Sequence, residues 1–258
     1  MKVGNTSKGK TQVKLTTELS DDFLIRMQFY KDQPHLSEET ALKEVIQQVP
    51  KEEKDIRVFD KGLKSRKTFE DFEKEDILFV TRLQENARYE VVRPHALDDL
   101  DQDNEELEFL QDSVVRLYKD GKNKPAQKEF RLIQYHLKGE SKTLLFITNV
   151  WDIPASSIAY IYKQRWDIEV LFRYMKQEMN LNHFVCNDMN AIQVMLYCTM
   201  IVSMLVLIYK KKNGINSYKK AKIRFFKELL YLTFLEALEH PDEITRLKNS
   251  FKKFIQIE

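Results

Sequence analysis

The sequence predicts a mixed α/β fold: a sheet flanked by helices, interrupted by a β-rich insertion and followed by a helical C-terminus. Three observations support this class. Short apolar runs alternate with amphipathic segments over the first 83 residues. Residues 89–142 hold short alternating runs separated by turn signals such as Asp120-Gly121 and Lys138-Gly139. From Leu144 onward, one strand pattern leads into helical patterns that continue to the end of the chain.

The first predicted segment, residues 1–84, alternates strands and helices. Asp60 is its most informative residue, because the short alternating run Ile56-Arg-Val-Phe brings this acid to the carboxyl end of a strand. Gly62 then permits a tight turn. The other predicted elements are a strand over Gln12–Leu19, a helix over Ser37–Val49, a helix over about Ser65–Lys74 and a strand over Ile77–Leu83.

The second segment, residues 85–143, is the predicted β-rich insertion. Its alternating runs begin at Tyr89, Ser113 and Glu129. The third segment, residues 144–258, starts with the strand-like run Leu144–Asn149 and continues as helices. The sequence therefore predicts a sheet whose second part returns after the insertion.

One helical stretch after that strand concentrates functional side chains. Tyr162, Arg165, Glu169 and Lys176 stand at i, i+3, i+7 and i+14. At about 100° per residue, all four fall within an arc of roughly 60°. A neighbouring apolar stripe can anchor the same helix in a core; it contains Ile161, Ile168, Phe172, Met175 and Met179.

A carboxylate between cations is suited to holding a metal ion beside a phosphodiester. The carboxylate binds the metal through oxygen, and Arg and Lys side chains bind phosphate oxygens. A tyrosine can hydrogen-bond a phosphate or stack on a base. The alternative is an ordinary amphipathic helix whose charged face is solvated, since such charge pairs are common.

The spacing Tyr-x2-Arg-x3-Glu-x6-Lys resembles the signature of DDE transposases of the insertion-sequence-four family. The approach Ile158–Glu169 and the strand Leu144–Asn149 are similar to the same family. This resemblance implies a ribonuclease-H-like sheet and a double-stranded DNA substrate. It implies that Glu169 is the last of three catalytic acids and binds Mg²⁺ or Mn²⁺, while Tyr162, Arg165 and Lys176 bind DNA.

Asp60 then matches the second catalytic acid of that family, and so a second metal ligand. The run Asp60-Lys61-Gly62 resembles the family's Asp-[Arg/Lys]-Gly turn, and Phe79-Val-Thr-Arg82 resembles its later Phe-Val-Thr-Arg segment. By itself, an Asp before Lys-Gly is more often a turn residue. Family members also stack an aromatic ring on an extruded base, for which Tyr135 and Trp151 are candidates; the alternative for each is a structural role, since no motif assigns them.

The first acid of the family has no counterpart in the sequence. No acid precedes Glu18, and Asp21 and Asp22 have the pattern of a turn or a helix cap. We expect a coding region that starts late, and a chain that lacks catalytic competence as given. The alternative is a non-catalytic DNA-binding relic, or an inhibitor of a full-length transposase.

Charge and hydropathy leave two further questions open. The net charge is only +2, so no global basic field indicates DNA binding. Two basic clusters, Lys210–Lys212 and Lys219–Arg224, suit either DNA phosphates or a solvated face. The apolar run Ile192–Tyr209 meets the minimum for a membrane span, but a buried helix has the same pattern. We expect no membrane insertion, a bacterial cytoplasmic location with nucleoid association on DNA, and a homodimer when bound to DNA.

Overall fold

The structure is a computed structural model that describes residues 2–3, 13–20, 23–30, 38–48, 55–63, 65–95, 106–118, 125–179, 188–240, 242 and 245. The chain divides into two compact units, Met1–Leu171 and Phe172–Glu258. The described part contains a mixed sheet flanked by helices and a helical C-terminal part. The α/β class predicted from the sequence is therefore confirmed. The three segments 1–84, 85–143 and 144–258 stay a prediction about domain organisation.

A small antiparallel sheet opens the first unit. Its strands are β1 (Lys2–Val3), β2 (Val13–Ser20) and β3 (Phe23–Tyr30), in that order. The predicted strand over Gln12–Leu19 thus corresponds to β2, shifted by one residue. β3 was not predicted, and it pairs with β2 as a hairpin partner. Asp21 and Asp22, predicted as a turn or cap, lie outside the described residues.

The next elements follow the predicted alternation closely. They are helix α1 (Glu38–Gln48), strand β4 (Ile56–Val58), helix α2 (Arg66–Lys74) and strand β5 (Leu78–Arg82). β4 and β5 are parallel neighbours, with α2 as the crossover between them. Parallel strands connected by a helix bring their carboxyl ends to one edge of the sheet. Asp60 and Arg82 therefore both lie at that edge.

The main sheet has six strands in the order β4-β5-β9-β8-β7-β6. Its remaining strands are β6 (Tyr89–Pro94), β7 (Leu107–Tyr118), β8 (Pro125–Leu137) and β9 (Thr143–Thr148), all antiparallel to their neighbours. The strands predicted as a β-rich insertion continue the same sheet as β4 and β5. β9 lies in the middle and joins the two halves.

Each face of the main sheet has its own apolar core. One core contains residues of α2, of the sheet and of the position directly after β4. It includes Phe59, Phe69, Phe72, Phe79 and Phe130. The other holds helix α3 (Ala155–Gln164) against the opposite face, through residues such as Ile158, Tyr135 and Phe146. Alternating side chains of one strand supply both cores, since successive residues point to opposite faces.

Helices make up the described part that follows the sheet. α4 (Trp166–Glu178) begins in the first unit, and α5 (Met189–Lys212) and α6 (Tyr218–Glu239) belong to the second. Among the described residues, one helix, Asn190–Lys212, is long and apolar enough to cross a membrane. Length and composition alone are weak evidence for a span, because core helices have both.

Candidate active site

Asp60 is held in a turn directly after β4. The backbone N–H of Gly62 donates to Oδ1 of Asp60 at 2.9 Å, which closes an Asx-type turn. Buried Thr81 on β5 places its hydroxyl 2.9 Å from the carbonyl oxygen of Phe59 and 3.1 Å from that of Asp60. The N–H of Phe59 donates to Val80 at 3.3 Å. The backbone around Asp60 is thereby fixed to the neighbouring strand.

The helix that carries the sequence motif is divided at Arg165. α3 ends at Gln164 and α4 begins at Trp166, so the residues predicted on one helix lie on two helices and the turn that joins them. Arg165 keeps helical torsion angles, φ −53° and ψ −26°. Its N–H donates to the carbonyl of Tyr162 at 3.1 Å, an i to i+3 bond that tightens the turn.

Arg165 nevertheless contacts both Tyr162 and Glu169. The guanidinium of Arg165 lies over the ring of Tyr162, 5.6 Å from its centroid. Nη1 of Arg165 donates to Oε1 of Glu169 at 2.6 Å. The Glu169 side chain is 39% exposed. The structure therefore shows Glu169 paired with a cation across the α3–α4 junction.

Electrostatics connect Asp60 to the same group. Burial raises the pKa of the Tyr162 hydroxyl above its ordinary value of 10.0. The cations Arg165 and Arg82 oppose this shift, and the Asp60 carboxylate adds to it. Asp60, two residues after β4, and Arg82, the last residue of β5, thus act on a hydroxyl carried by α3. Both predicted acids therefore belong to the first unit, and each interacts with one member of the Tyr162–Arg165 pair.

Two arginines of this group have spare hydrogen-bonding capacity. Nε of Arg82 and Nε of Arg165 are buried and have no acceptor among the described residues. A buried donor without an acceptor costs on the order of 1–3 kcal/mol, which an anionic ligand could recover. Arg82 was not predicted as a site residue. The sequence signal that could have identified Arg82 is its position at the end of a predicted strand, in the segment Phe79–Arg82 that resembles the family.

A buried ion pair fixes the loop that leads into α3. Arg131 on β8 is fully buried and donates to Asp112 on β7, with Nη2 2.6 Å from Oδ2. Its Nη1 donates to the carbonyls of Ile153 at 2.6 Å and Val150 at 3.4 Å. Arg131 therefore joins the sheet to the backbone just before α3. Neither Arg131 nor Asp112 was predicted to matter for the site.

Asn149 performs a similar function one residue after β9. Its Oδ1 accepts from the N–H of Phe79 at 2.9 Å, and its Nδ2 donates to Ile77 O and to Glu73 Oε2, each at 2.9 Å. These bonds connect the end of β9 to the start of β5. On the other side, the ring of Tyr162 packs on Phe146 of β9, with centroids 5.1 Å apart. The start of the loop into α3 and the far end of α3 are thus both attached to the sheet.

The carboxylate oxygens of Asp60 and Glu169 are the type of ligand that a hard divalent cation binds. Asp60 has a second carboxylate oxygen besides the one that accepts from Gly62, and Glu169 is partly exposed. In the part of the chain that the structure describes, no group of three or more Asp, Glu, His or Cys side chains could hold a metal ion. Two carboxylates match the ligand chemistry of Mg²⁺ but make up an incomplete set.

The remaining sequence candidates differ in accessibility. Tyr135 is fully buried, with its ring packed against Phe109 and Phe146, so it is not available to stack on an extruded base. Trp151 is half-buried and lies beside the ring of His95, at 5.8 Å between centroids. Lys176 lies in the last turn of α4, seven residues after Glu169, and belongs to the second unit.

Comparison with known proteins identifies the family. Residues 3–205 match the family described as the transposase DDE domain. The protein y4zB of Sinorhizobium fredii, named as a transposase, is 34% identical over 159 residues, which are 62% of this chain and 44% of that protein. A Synechocystis protein, named for the transposase of insertion sequence element IS4SA, is 31% identical over 191 residues, 69% of this chain and 48% of its own length.

A protein of Geobacillus stearothermophilus, named for the transposase of insertion sequence element IS5377, is 35% identical over 60 residues. That match covers 23% of this chain and 16% of the relative. The chain therefore spans less than half the length of each of these relatives. The family match nevertheless extends over 203 of the 258 residues. The chain belongs to the family of transposases with a DDE domain.

Proposed function

We propose that this chain carries the second and third metal-binding carboxylates of a transposase that acts on the ends of an insertion sequence. Asp60 and Glu169 are the metal ligands, and Mg²⁺ or Mn²⁺ is the metal. The observation that supports this proposal best is the succession Asp60, Tyr162, Arg165 and Glu169 in the first unit. It joins the carboxyl end of β4 to the α3–α4 junction.

Each residue of the group has a separate task in this proposal. The bound metal would polarise the scissile phosphodiester and lower the pKa of an attacking water or 3′-hydroxyl. Asp60 would present the carboxylate oxygen that the Gly62 turn leaves accessible. Glu169 would exchange Arg165 for the metal, which releases the guanidinium for a phosphate oxygen.

The remaining polar groups would hold the DNA. The free Nε of Arg82 and of Arg165 would donate to phosphate oxygens, and the Tyr162 hydroxyl would donate to a phosphate of the transposon end. Lys176 would add a cation on the same helix as Glu169. The partner is double-stranded DNA, both transposon end and target. The reaction is hydrolysis followed by transfer of the 3′ end by a homodimer at the bacterial nucleoid.

A second candidate function is a DNA-binding regulator without catalysis. The observation that favours it is that the described residues contain no cluster of three acids that could hold a metal ion, whereas the resemblance implies three. We propose that the 258 residues by themselves do not cleave DNA. They would bind transposon ends and inhibit a complete transposase by occupying those ends or by forming mixed dimers.

Metal binding tests the carboxylate assignment directly. We expect the chain to bind Mn²⁺ weakly, as measured by electron paramagnetic resonance, because two carboxylates still form part of a site. Asp60→Asn and Glu169→Gln should each reduce the bound fraction by about tenfold or more. Exposed Asp152→Asn and Glu140→Gln serve as matched controls and should leave binding unchanged. Equal binding by all four variants would reject the two ligands.

Cleavage separates the two candidate functions. The probe is a duplex carrying the terminal repeats of the element that encodes the chain, incubated with Mg²⁺. Binding without strand breakage supports the regulator, whereas metal-dependent nicking supports the enzyme. In either case Glu169→Gln should leave DNA binding nearly unchanged, because Glu169 is assigned to the metal and not to phosphate. A parallel loss of binding would mean that Glu169 has a structural role.

A further inference from the structure

The turn between α5 and α6 is hydrogen-bonded and strongly basic. Gly214 adopts φ +60°, a left-handed conformation that glycine accepts without strain. Its N–H donates to Lys211 O at 3.3 Å, and the N–H of Ile215 donates to Lys210 O at 2.9 Å. Ile215 is buried, which fixes the middle of the turn. The chain reversal therefore has a defined conformation.

This turn brings together the two basic clusters of the sequence. Residues 210–224 contain seven Lys or Arg and no acid, in a chain whose net charge is only +2. One cluster ends α5 and the other begins α6, with five residues between the two helices. We call this surface the lysine turn. Its exposed cations are Lys211, Lys212, Lys219, Lys220 and Arg224.

Two other cations of the cluster are held against the protein. Nζ of Lys210 lies over the ring of Tyr218, 4.9 Å from its centroid, and that ring stacks on Tyr174 at 4.6 Å. Lys222 donates to the carbonyl of Glu178, whose carboxylate is 3.4 Å from Nζ. These contacts hold Lys210 and Lys222 against neighbouring residues of the second unit.

Helix stability does not account for the position of all these cations. The lysines in the last turn of α5 face the negative end of the helix dipole, which is favourable. Lys219 and Lys220 lie in the first turn of α6, at the positive end of the helix dipole, where a cation is unfavourable. That turn contains no acid to compensate. A polyanionic partner would offset this cost.

We propose that the lysine turn binds the sugar-phosphate backbone of double-stranded DNA, at a surface distinct from the carboxylate site. The choice of DNA rests on the proposed function, since the family acts on DNA. Lys220 and Arg224 are four residues apart, so their Cβ atoms lie about 5–6 Å apart on one helix face. Long cations at this spacing contact neighbouring phosphates without reading bases, so binding is independent of sequence and sensitive to salt.

The test compares two variants of the full chain that lose the same charge. One carries Lys211→Gln, Lys212→Gln, Lys219→Gln and Lys220→Gln. The control carries four changes of exposed lysines in the first unit: Lys74→Gln, Lys128→Gln, Lys138→Gln and Lys142→Gln. Fluorescence anisotropy with a labelled duplex of arbitrary sequence gives affinity between about 50 and 200 mM salt. A third variant, in which the same four lysine-turn positions are changed to Arg, should retain binding.

A plot of log affinity against log salt has a negative slope. We expect this slope to become less steep by about 0.9 for each lost contact, up to about 3.6 in the lysine-turn variant. The control should keep nearly the parent slope. Equal losses in both variants, or no DNA binding by the parent, would overturn the proposal. The proposal would also be overturned if the lysine-turn variant lost binding to phosphatidylglycerol vesicles but kept the DNA binding of the parent. The partner of the lysine turn would then be an anionic membrane. The Mn²⁺ experiment with Asp60→Asn and Glu169→Gln judges the proposed function separately.

Discussion

The two candidate carboxylates are held in different ways. Asp60 follows a buried strand, and its turn is fixed by the Gly62 N–H and by the hydroxyl of Thr81. Glu169 lies on a helix, and its carboxylate accepts a hydrogen bond from the side chain of Arg165. One carboxylate is positioned by backbone and core packing. The other is positioned by an ion pair between neighbouring turns.

This difference indicates a division of labour at the proposed site. Core packing and backbone hydrogen bonds do not exchange readily, so Asp60 is presented in one place before any ligand arrives. A partly exposed ion pair is worth little, about 0.3–0.5 kcal/mol, so Glu169 can leave Arg165 at small cost. A metal or a phosphate would compete with that pair. Asp60 is thus the fixed part of the site and Glu169 the exchangeable part.

The largest expected effect comes from the core under Asp60. Phe79 is fully buried and packs against Phe59, Phe69, Phe72 and Phe130, with centroids 5.2–6.0 Å apart. We expect Phe79→Ala to lower the free energy of unfolding by about 3–5 kcal/mol, because it leaves a cavity in this cluster. Urea denaturation followed by circular dichroism measures the change.

An aromatic residue near Glu169 supplies the comparison. Trp166 at the start of α4 is 49% exposed. Trp166→Ala should cost about 1 kcal/mol or less, since no comparable cavity is created. If the two substitutions destabilise the chain equally, the contrast between a rigid Asp60 side and a softer Glu169 side is wrong.

A smaller effect is expected from the hydroxyl that fixes the Asp60 turn. Thr81→Val preserves the shape of a fully buried side chain but removes the donor to the carbonyls of Phe59 and Asp60. We expect a loss of about 1–3 kcal/mol in unfolding free energy, because a buried acceptor loses its partner. Mn²⁺ binding should fall as well, since the Asp60 carboxylate is no longer fixed.

Thr81→Ser is the matched control, because it keeps the hydroxyl and removes only a methyl group. It should retain Mn²⁺ binding and cost less than Thr81→Val. If Thr81→Val lowers stability but leaves Mn²⁺ binding intact, the turn does not need this hydroxyl to present Asp60. The positioning role of Thr81 would then be lost, and its structural role would remain.

Local patterns were sufficient to predict the strands and helices around Asp60. The run Ile56–Phe59, the turn at Gly62 and the helix after Ser65 are short-range signals, and the structure places β4 and α2 within one or two residues of them. The placement of Asp60 after a buried strand followed from alternation alone. The roles of Asp60 and Glu169 as metal ligands remain predictions from family resemblance.

Long-range contacts could not be predicted in the same way. Arg131 and Asp112 are 19 residues apart in the sequence, and only the pairing of β7 with β8 makes them partners. Arg82 lowers the pKa of Tyr162 because β5 packs beside α3, and no local pattern specifies that packing. The helix is divided at Arg165, where an i to i+3 hydrogen bond to Tyr162 tightens the turn, and helical periodicity does not predict that turn.

The smallest expected effect on stability concerns the Arg165–Glu169 pair. Arg165→Gln should lower unfolding free energy by about 0.3–0.5 kcal/mol. Its clearer consequence is electrostatic, because Arg165 lowers the pKa of Tyr162 against the raising effect of burial. Removing Arg165 should raise the pKa of Tyr162 further above 10.0. The measurement is the ultraviolet titration of tyrosinate, corrected by subtracting a Tyr162→Phe variant.

The sign of the accompanying pH effect follows from the raised pKa. The folded state favours neutral Tyr162, so this contribution to stability is fully present below the ordinary tyrosine pKa and is lost as pH rises through the folded-state pKa. In Arg165→Gln that loss should move to higher pH. Lys163→Gln, an exposed change on the same helix, should leave the Tyr162 titration where it is. If Tyr162 titrates at the same pH in Arg165→Gln as in the parent, the guanidinium does not face the Tyr162 hydroxyl. The proposed exchange of Arg165 between Glu169 and a phosphate would then lose its geometric basis.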